Sequence, residues 1–92
     1  MSKYEIQRTT QFKKDYKVAV KRGFDIAPLK KVIALLASGE QLEPQYRDHS
    51  LSGNYSGYRE CHVKPEWLLI YKITEGVLVL TLYRTGSHSD LF

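Results

Sequence analysis

The sequence predicts an α+β fold, with a mainly antiparallel four-stranded sheet and an N-terminal helical hairpin packed on one face. Three observations predict it. Between Thr9 and Gly39, apolar side chains recur at helical spacing, with one break at Gly23. From residue 55 onward the apolar period falls to two. A loosely alternating stretch at residues 3–8 precedes the helices and supplies a further strand. The 92 residues suffice for one domain, 1–92.

Each element has a local reason. Thr9 or Thr10 offers an N-cap for the first helix. Phe12, Tyr16, Ala19 and Val20 form its apolar stripe, with lysines between them. Gly23 suits the residue just past its end. The second helix begins near Asp25 and Pro28, where a first turn tolerates proline. Leu29, Val32, Ile33, Leu35 and Leu36 form its stripe, and Gly39 ends it. Residues 40–54 read as a long polar connection containing Pro44, Gly53 and Asn54. Strands follow at 55–63, 66–73 and 77–84, with Glu75-Gly76 as a tight turn before the last. Trp67-Leu68-Leu69-Ile70-Tyr71 is almost continuously apolar, which marks the central strand. The other sheet face, or its rim, is left for a ligand. No repeat or low-complexity segment interrupts the chain.

Composition narrows the function classes. One cysteine, Cys61, excludes an internal disulfide and a cysteine-based zinc finger. No apolar run follows Met1-Ser2-Lys3, so no signal peptide is expected, and no stretch is long enough to span a bilayer. The expected compartment is the cytoplasm. The formal charge is +4. Lys13, Lys14, Lys17, Lys21, Arg22, Lys30 and Lys31 crowd the N-terminal third. Such a surface attracts polyanions, although a solvated helix face explains it equally well.

The candidates for chemistry lie in the second half. His49 falls in the long connection, His62 on a strand and His88 near the C-terminus. Strand alternation puts Tyr58, Glu60 and His62 on one face, and Arg59 and Cys61 on the other. It also puts Leu78, Leu80 and Leu82 on one face, with Arg84 following at the strand end. Histidines move protons near neutral pH, and a guanidinium holds phosphate. Attack of RNA's own 2′-hydroxyl on its phosphate needs a base, an acid and a fixed cation, and these residue types supply all three. An exposed Trp67 or Phe92 would stack on an unpaired base. The bland readings stand beside these. A lone histidine is usually a surface residue, and Trp67 beside an apolar run usually packs in a core. Arg84 has Glu60 and Glu66 as available ion-pair partners. The glycine-containing turn at 53–57 lacks the lysine-serine ending of a phosphate-binding loop.

The second half carries more specific information. Tyr46-Arg47-Asp48-His49-Ser50-Leu51-Ser52-Gly53, Gly57-Tyr58-Arg59-Glu60-Cys61-His62-Val63, Pro65-Glu66-Trp67-Leu68-Leu69-Ile70-Tyr71 and Arg84-Thr85-Gly86-Ser87-His88-Ser89-Asp90-Leu91-Phe92 stand in that order. In order and spacing they resemble the YafQ branch of the RelE-like toxins. The resemblance covers essentially the whole chain, in motif over 46–92 and in pattern over the helical hairpin. It implies a RelE-like sheet with two helices on one face. It implies a type II toxin encoded beside a cognate antitoxin, with operator DNA bound through the complex. It implies ribosome-dependent cleavage of messenger RNA in the A site, a reaction for which the histidines and arginine require no metal or cofactor.

Carried over residue by residue, the resemblance puts His49, His62, Arg84 and His88 at active-site positions. Trp67 and Phe92 fall where RNA is held or the site is shaped. Glu66 and Glu60 stand where relatives carry aspartate, one methylene shorter. Glu66 is expected to help a histidine base, and Glu60 to orient His62. In this scheme His88, on a flexible tail, is the acid, Arg84 stabilises the transition state, and His62 or His49 is the base. Two rivals remain. One is a family member that only binds antitoxin and DNA as a corepressor. The other is a zinc site of the three histidines and a carboxylate, for which the sequence offers no ligand spacing.

Overall fold

The computed structural model describes residues 2–92. The elements run β1 (Glu5–Arg8), α1 (Thr10–Lys21), α2 (Ala27–Ala37), β2 (His49–Ser50), β3 (Arg59–Lys64), β4 (Trp67–Thr74), β5 (Val79–Gly86) and α3 (His88–Leu91). The sheet has five strands in the order β1-β5-β4-β3-β2. The β1–β5 pair is parallel and the other three pairs are antiparallel. The expected α+β architecture therefore holds, with one strand more than expected. That strand is β2, two residues inside the connection read as irregular.

The helices form for the predicted reasons. The Thr9 hydroxyl accepts from the Phe12 N–H at 3.0 Å and caps α1. Gly23 and Gly39 take φ of +80° and +79°, each two residues past a helix end and just after the capping residue, where a side chain would be strained. Asp25 accepts from the Ala27 N–H at 3.0 Å as α2 starts. Both helices lie on one side of the sheet. Phe12, Ala19, Leu29, Val32 and Leu36 pack there with Cys61, Val63, Trp67, Leu69, Tyr71, Leu80 and Leu82. Burying side chains of this size contributes about 1.5–3 kcal/mol each before entropy is counted. Val20 departs from its predicted stripe and is 49% exposed, because the buried face of α1 follows Phe12 and Ala19.

The connection at 40–54 is not a free loop. Leu42 and Tyr46 join the core, and Pro44–Tyr46 and Gly53–Tyr55 form single 3₁₀ turns. The tight turn at Glu75-Gly76 is also a 3₁₀ turn, Glu75–Val77, and Leu78 closes it in the left-handed region at φ 53°. This delays the last strand by two residues. The C-terminal stretch is a short helix rather than a flexible tail. Ser87 and Asp90 form a capping box around its first turn, and Leu91 is buried. Among the described residues, no helix is long and apolar enough to cross a membrane.

Candidate active site

The second face of the sheet carries a much thinner apolar layer. Leu68, Ile70 and Leu91 are buried there, flanked by half-buried Leu51, Tyr55, Tyr58 and Tyr83. Strand register assigns the candidate residues to this face. His62 pairs with Leu68, Glu60 with Ile70, and His49 with Glu60. Directly opposed residues in an antiparallel pair share a face.

Alternation alone misplaces Arg84. The β4–β5 register shifts between Ile70 and Tyr71, so Tyr71 pairs with Leu82 while Ile70 pairs with Arg84. A bulge of this kind re-aims the residues that follow it. Leu80 and Leu82 face the helices, and Arg84 is the register partner of open-face Ile70. His88 arrives on α3, which packs on Leu68 and Ile70 through Leu91. His49, His62, Arg84 and His88 thus surround one apolar floor, although their side chains do not touch one another.

His49 is the best-oriented histidine. Its Nδ1 lies 2.6 Å from the Arg47 carbonyl oxygen, which only accepts, so Nδ1 carries the proton and donates. Nε2 is left to face Glu60 Oε1 at 3.5 Å. Glu60 is 6% exposed, and its Oε2 is buried without a partner. A buried carboxylate oxygen in this state favours any donor that reaches it. The expected Glu60–His62 pairing is therefore replaced by Glu60–His49, because β2 brings His49 opposite Glu60. Behind His49, the buried side of the strand is anchored. Asp48 accepts from Arg59 Nε and Nη2 at 3.3 and 3.2 Å, and from the Tyr71 hydroxyl. Burial, then the Asp48 carboxylate, pushes the Tyr71 hydroxyl up from its ordinary pKa.

His62 Nδ1 lies 3.4 Å from the Pro65 carbonyl oxygen. The ring lines a cleft of about 330 Å³ together with Arg47 and Lys64. Glu66 is exposed in the β3–β4 turn and forms no hydrogen bond or ion pair with a histidine. Nor does Arg84 pair with Glu60 or Glu66. Its Nε and Nη2 each donate to Asp15 of α1 at 3.1 Å, and Asp15 raises the pKa of the guanidinium.

Trp67 is not an exposed platform. It is 4% exposed, its ring meets Phe24 edge-on, and its Nε1–H donates to Thr85 Oγ1 at 2.9 Å. It belongs to the core on the helix side of the sheet. Phe92 is 53% exposed, and its ring centroid lies 5.1 Å from that of His88. From Phe92 an aromatic line continues through Tyr55 and Tyr83 to Tyr58, with Lys72 Nζ over the Tyr58 ring. Tyr58 is placed on this face by alternation, but the sequence gives no role to Tyr55, Tyr83, Asp15 or Asp48. Asp15 sits among the lysines of α1, 69 positions from Arg84, and spacing gives no sign of that pairing. Among the described residues, no group of three or more His, Cys, Asp or Glu side chains is gathered as for a metal ion.

Comparison with known proteins fits this geometry. Residues 4–92 match the family described as the bacterial toxin of type II toxin–antitoxin systems, YafQ. The mRNA interferase toxin YafQ of Escherichia coli strain K12 is 42% identical over 93 aligned positions, covering 100% of this chain and 99% of that protein. The crystal structure of YafQ from E. coli BL21(DE3) superposes with a TM-score of 0.91 at 41% identity, over 97% of this chain and 98% of that one. YafQ in the E. coli DinJ–YafQ toxin–antitoxin complex superposes with a TM-score of 0.89 at 42% identity, over 98% of both chains. With residues 4–92 matched and full-length relatives above 40% identity, the chain belongs to the YafQ family of type II toxin–antitoxin toxins.

Proposed function

We propose that this toxin is a ribosome-dependent endoribonuclease that cleaves messenger RNA in the A site and so inhibits translation. The observation that carries the reading is the gathering of His49, His62, Arg84 and His88 around Leu68 and Ile70 on the open face. A histidine takes the proton of the 2′-hydroxyl, and the 2′-oxygen attacks phosphorus. Arg84 stabilises the charge that builds on the phosphoryl oxygens. The bond from phosphorus to the 5′-oxygen breaks, and an acid protonates the leaving oxygen. The products are a 2′,3′-cyclic phosphate and a 5′-hydroxyl.

His88 is the acid in this scheme, since it is exposed on α3 beside Phe92. His49 is the better base, since its Nδ1–H is fixed by Arg47 and its Nε2, the nitrogen that takes the proton, is turned toward the Glu60 carboxylate. Glu60 supports His49. Glu66 takes no part unless RNA binding moves the turn that bears it. Phe92 and the tyrosine line supply ring faces and edges for unpaired bases, each stacked base contributing roughly 1–3 kcal/mol.

The cognate antitoxin is the second partner, with operator DNA reached through the complex. The opposite side of the molecule suits it. A groove of about 700 Å³ between β1, α1 and α2 has an apolar floor of Ile6, Phe12 and Ile33, rimmed by Arg8, Lys13, Lys17 and Lys30. An acidic amphipathic segment complements both its floor and its rim.

The test is cleavage of a short messenger RNA on purified translating ribosomes. Wild type is expected to cut within the A-site codon and leave a 5′-hydroxyl. His88→Ala is expected to be slower by about 10²–10⁴-fold while still binding ribosomes. A 5′-phosphate product refutes the 2′-hydroxyl mechanism, and an inactive wild type favours the corepressor reading.

A further inference from the structure

Arg84 meets the scissile phosphate in the proposed function, and the inference here rests on that reading. A guanidinium has five N–H donors in a rigid fork. Asp15 takes the side edge of that fork. Nε donates to Asp15 Oδ2 and Nη2 to Asp15 Oδ1, each at 3.1 Å. Oδ2 also accepts the backbone N–H of Thr85 at 3.2 Å. The Asp15 side chain is only 10% exposed, so solvent screens this pair little. Both N–H groups of Nη1 and the second of Nη2 are left for a ligand.

The surroundings explain why Arg84 needs such a hold. Pairing between β1 and β5 stops at Leu82, where the chain leaves the sheet to enter α1. Arg84 therefore lies on a bare strand edge, just past a bulge, with no neighbouring strand on that side. An arginine in that place has many rotamers and no sheet neighbour to select one. Helix α1 supplies the missing wall. Its Asp15 grips Arg84 and Thr85, and Arg22, the residue just past its end, pairs with Asp90 of α3 at 3.1 Å.

We propose that Asp15 is the positioning residue of Arg84, aligning the guanidinium edge that meets the phosphate. It does not touch RNA. A carboxylate fixed on one edge of the fork holds the other edge in place while charge develops on phosphorus, and no reorganisation is needed at that moment.

The test compares cleavage on purified ribosomes by wild type, Asp15→Asn, Asp15→Glu, Arg84→Ala and the double variant Asp15→Asn with Arg84→Ala. Asp15→Asn is expected to lower the maximal rate about 10- to 100-fold, with the half-saturating ribosome concentration changed less than about threefold. Asp15→Glu keeps the charge and is expected to recover part of the rate. In the Arg84→Ala background, Asp15→Asn is expected to cost no more than about twofold, since the group it positions is gone. An equal loss in both backgrounds marks a merely structural role and overturns the proposal. So does Asp15→Asn cutting at the wild-type rate while Arg84→Ala is inactive, an outcome that leaves the ribonuclease reading standing. Wild-type cleavage by Arg84→Ala overturns the proposal together with Arg84's assigned role. One readout needs neither activity nor a folded variant. The Arg84 Nε–H signal in ¹⁵N-labelled wild type is expected to be separate and slowly exchanging, and merging with the exposed arginines overturns the proposal.

Discussion

The two faces of one sheet differ in depth. On the helix side, sixteen buried residues among those described form one continuous cluster. On the other side, among the described residues, three apolar side chains are buried, and the layer is completed by half-buried Leu51 and tyrosines. The candidate site residues lie on the thin side. A small domain has little core to spare, and here nearly all of it is placed on one face. The second face is thus free to carry a buried carboxylate with an unpartnered oxygen, exposed histidines and a four-residue helix. The core holds the strands, and the strands hold the site.

The adjacent residues Leu69 and Leu68 test this contrast, because they point to opposite faces and are 0% and 2% exposed. Leu69→Ala is expected to cost about 3–5 kcal/mol and Leu68→Ala nearer about 2, because α3 can settle onto the smaller side chain. Urea unfolding gives both values. An equal or larger loss for Leu68→Ala breaks the one-sided description.

A smaller effect is expected where the two faces communicate. Tyr71→Phe removes the hydroxyl that Asp48 accepts on the buried side of the strand bearing His49. The expected cost is about 1–3 kcal/mol, since a part-buried carboxylate loses a donor. Cleavage should fall as well, because Asp48 fixes the segment that orients His49. Destabilisation with unchanged activity separates the network from the site.

The smallest effect belongs to α3. Ser87→Ala removes the cap that holds His88 in place, at about 1 kcal/mol. The same helix should respond to acid. Ser87, and then Arg22, hold the Asp90 carboxyl below its usual range. Its folded pKa lies below the unfolded value, so its contribution is complete above about pH 4 and is lost as pH falls through the folded value. Histidine and amide signals of residues 87–92 followed by NMR should shift in that window before the core melts. Simultaneous loss of both signals shows that α3 is not an independent unit.

Much of this was legible in the sequence. Thr9, Gly23, Pro28 and Gly39 punctuate the two helices where local chemistry requires it. The uninterrupted run Trp67–Tyr71 marks the central strand because both its faces are covered. The motifs around His49, His62 and Arg84 to Phe92 identify the family. These signals are local, or are repeated along the chain at a fixed period.

What the tertiary structure alone decided depends on pairs far apart in sequence. The bulge at Tyr83 moved Arg84 off the face that alternation gave it. The two-residue strand at His49 exchanged one histidine partner of Glu60 for another. Asp15, one acid among lysines, became the partner of Arg84 across 69 positions. Trp67 turned inward to Thr85 and Phe24, away from the face that carries Phe92 and the tyrosines. Residue type and period determine which elements form and which side chains are able to act. Register, strand edges and helix docking determine which of them meet, because those depend on packing between segments that no local pattern encodes.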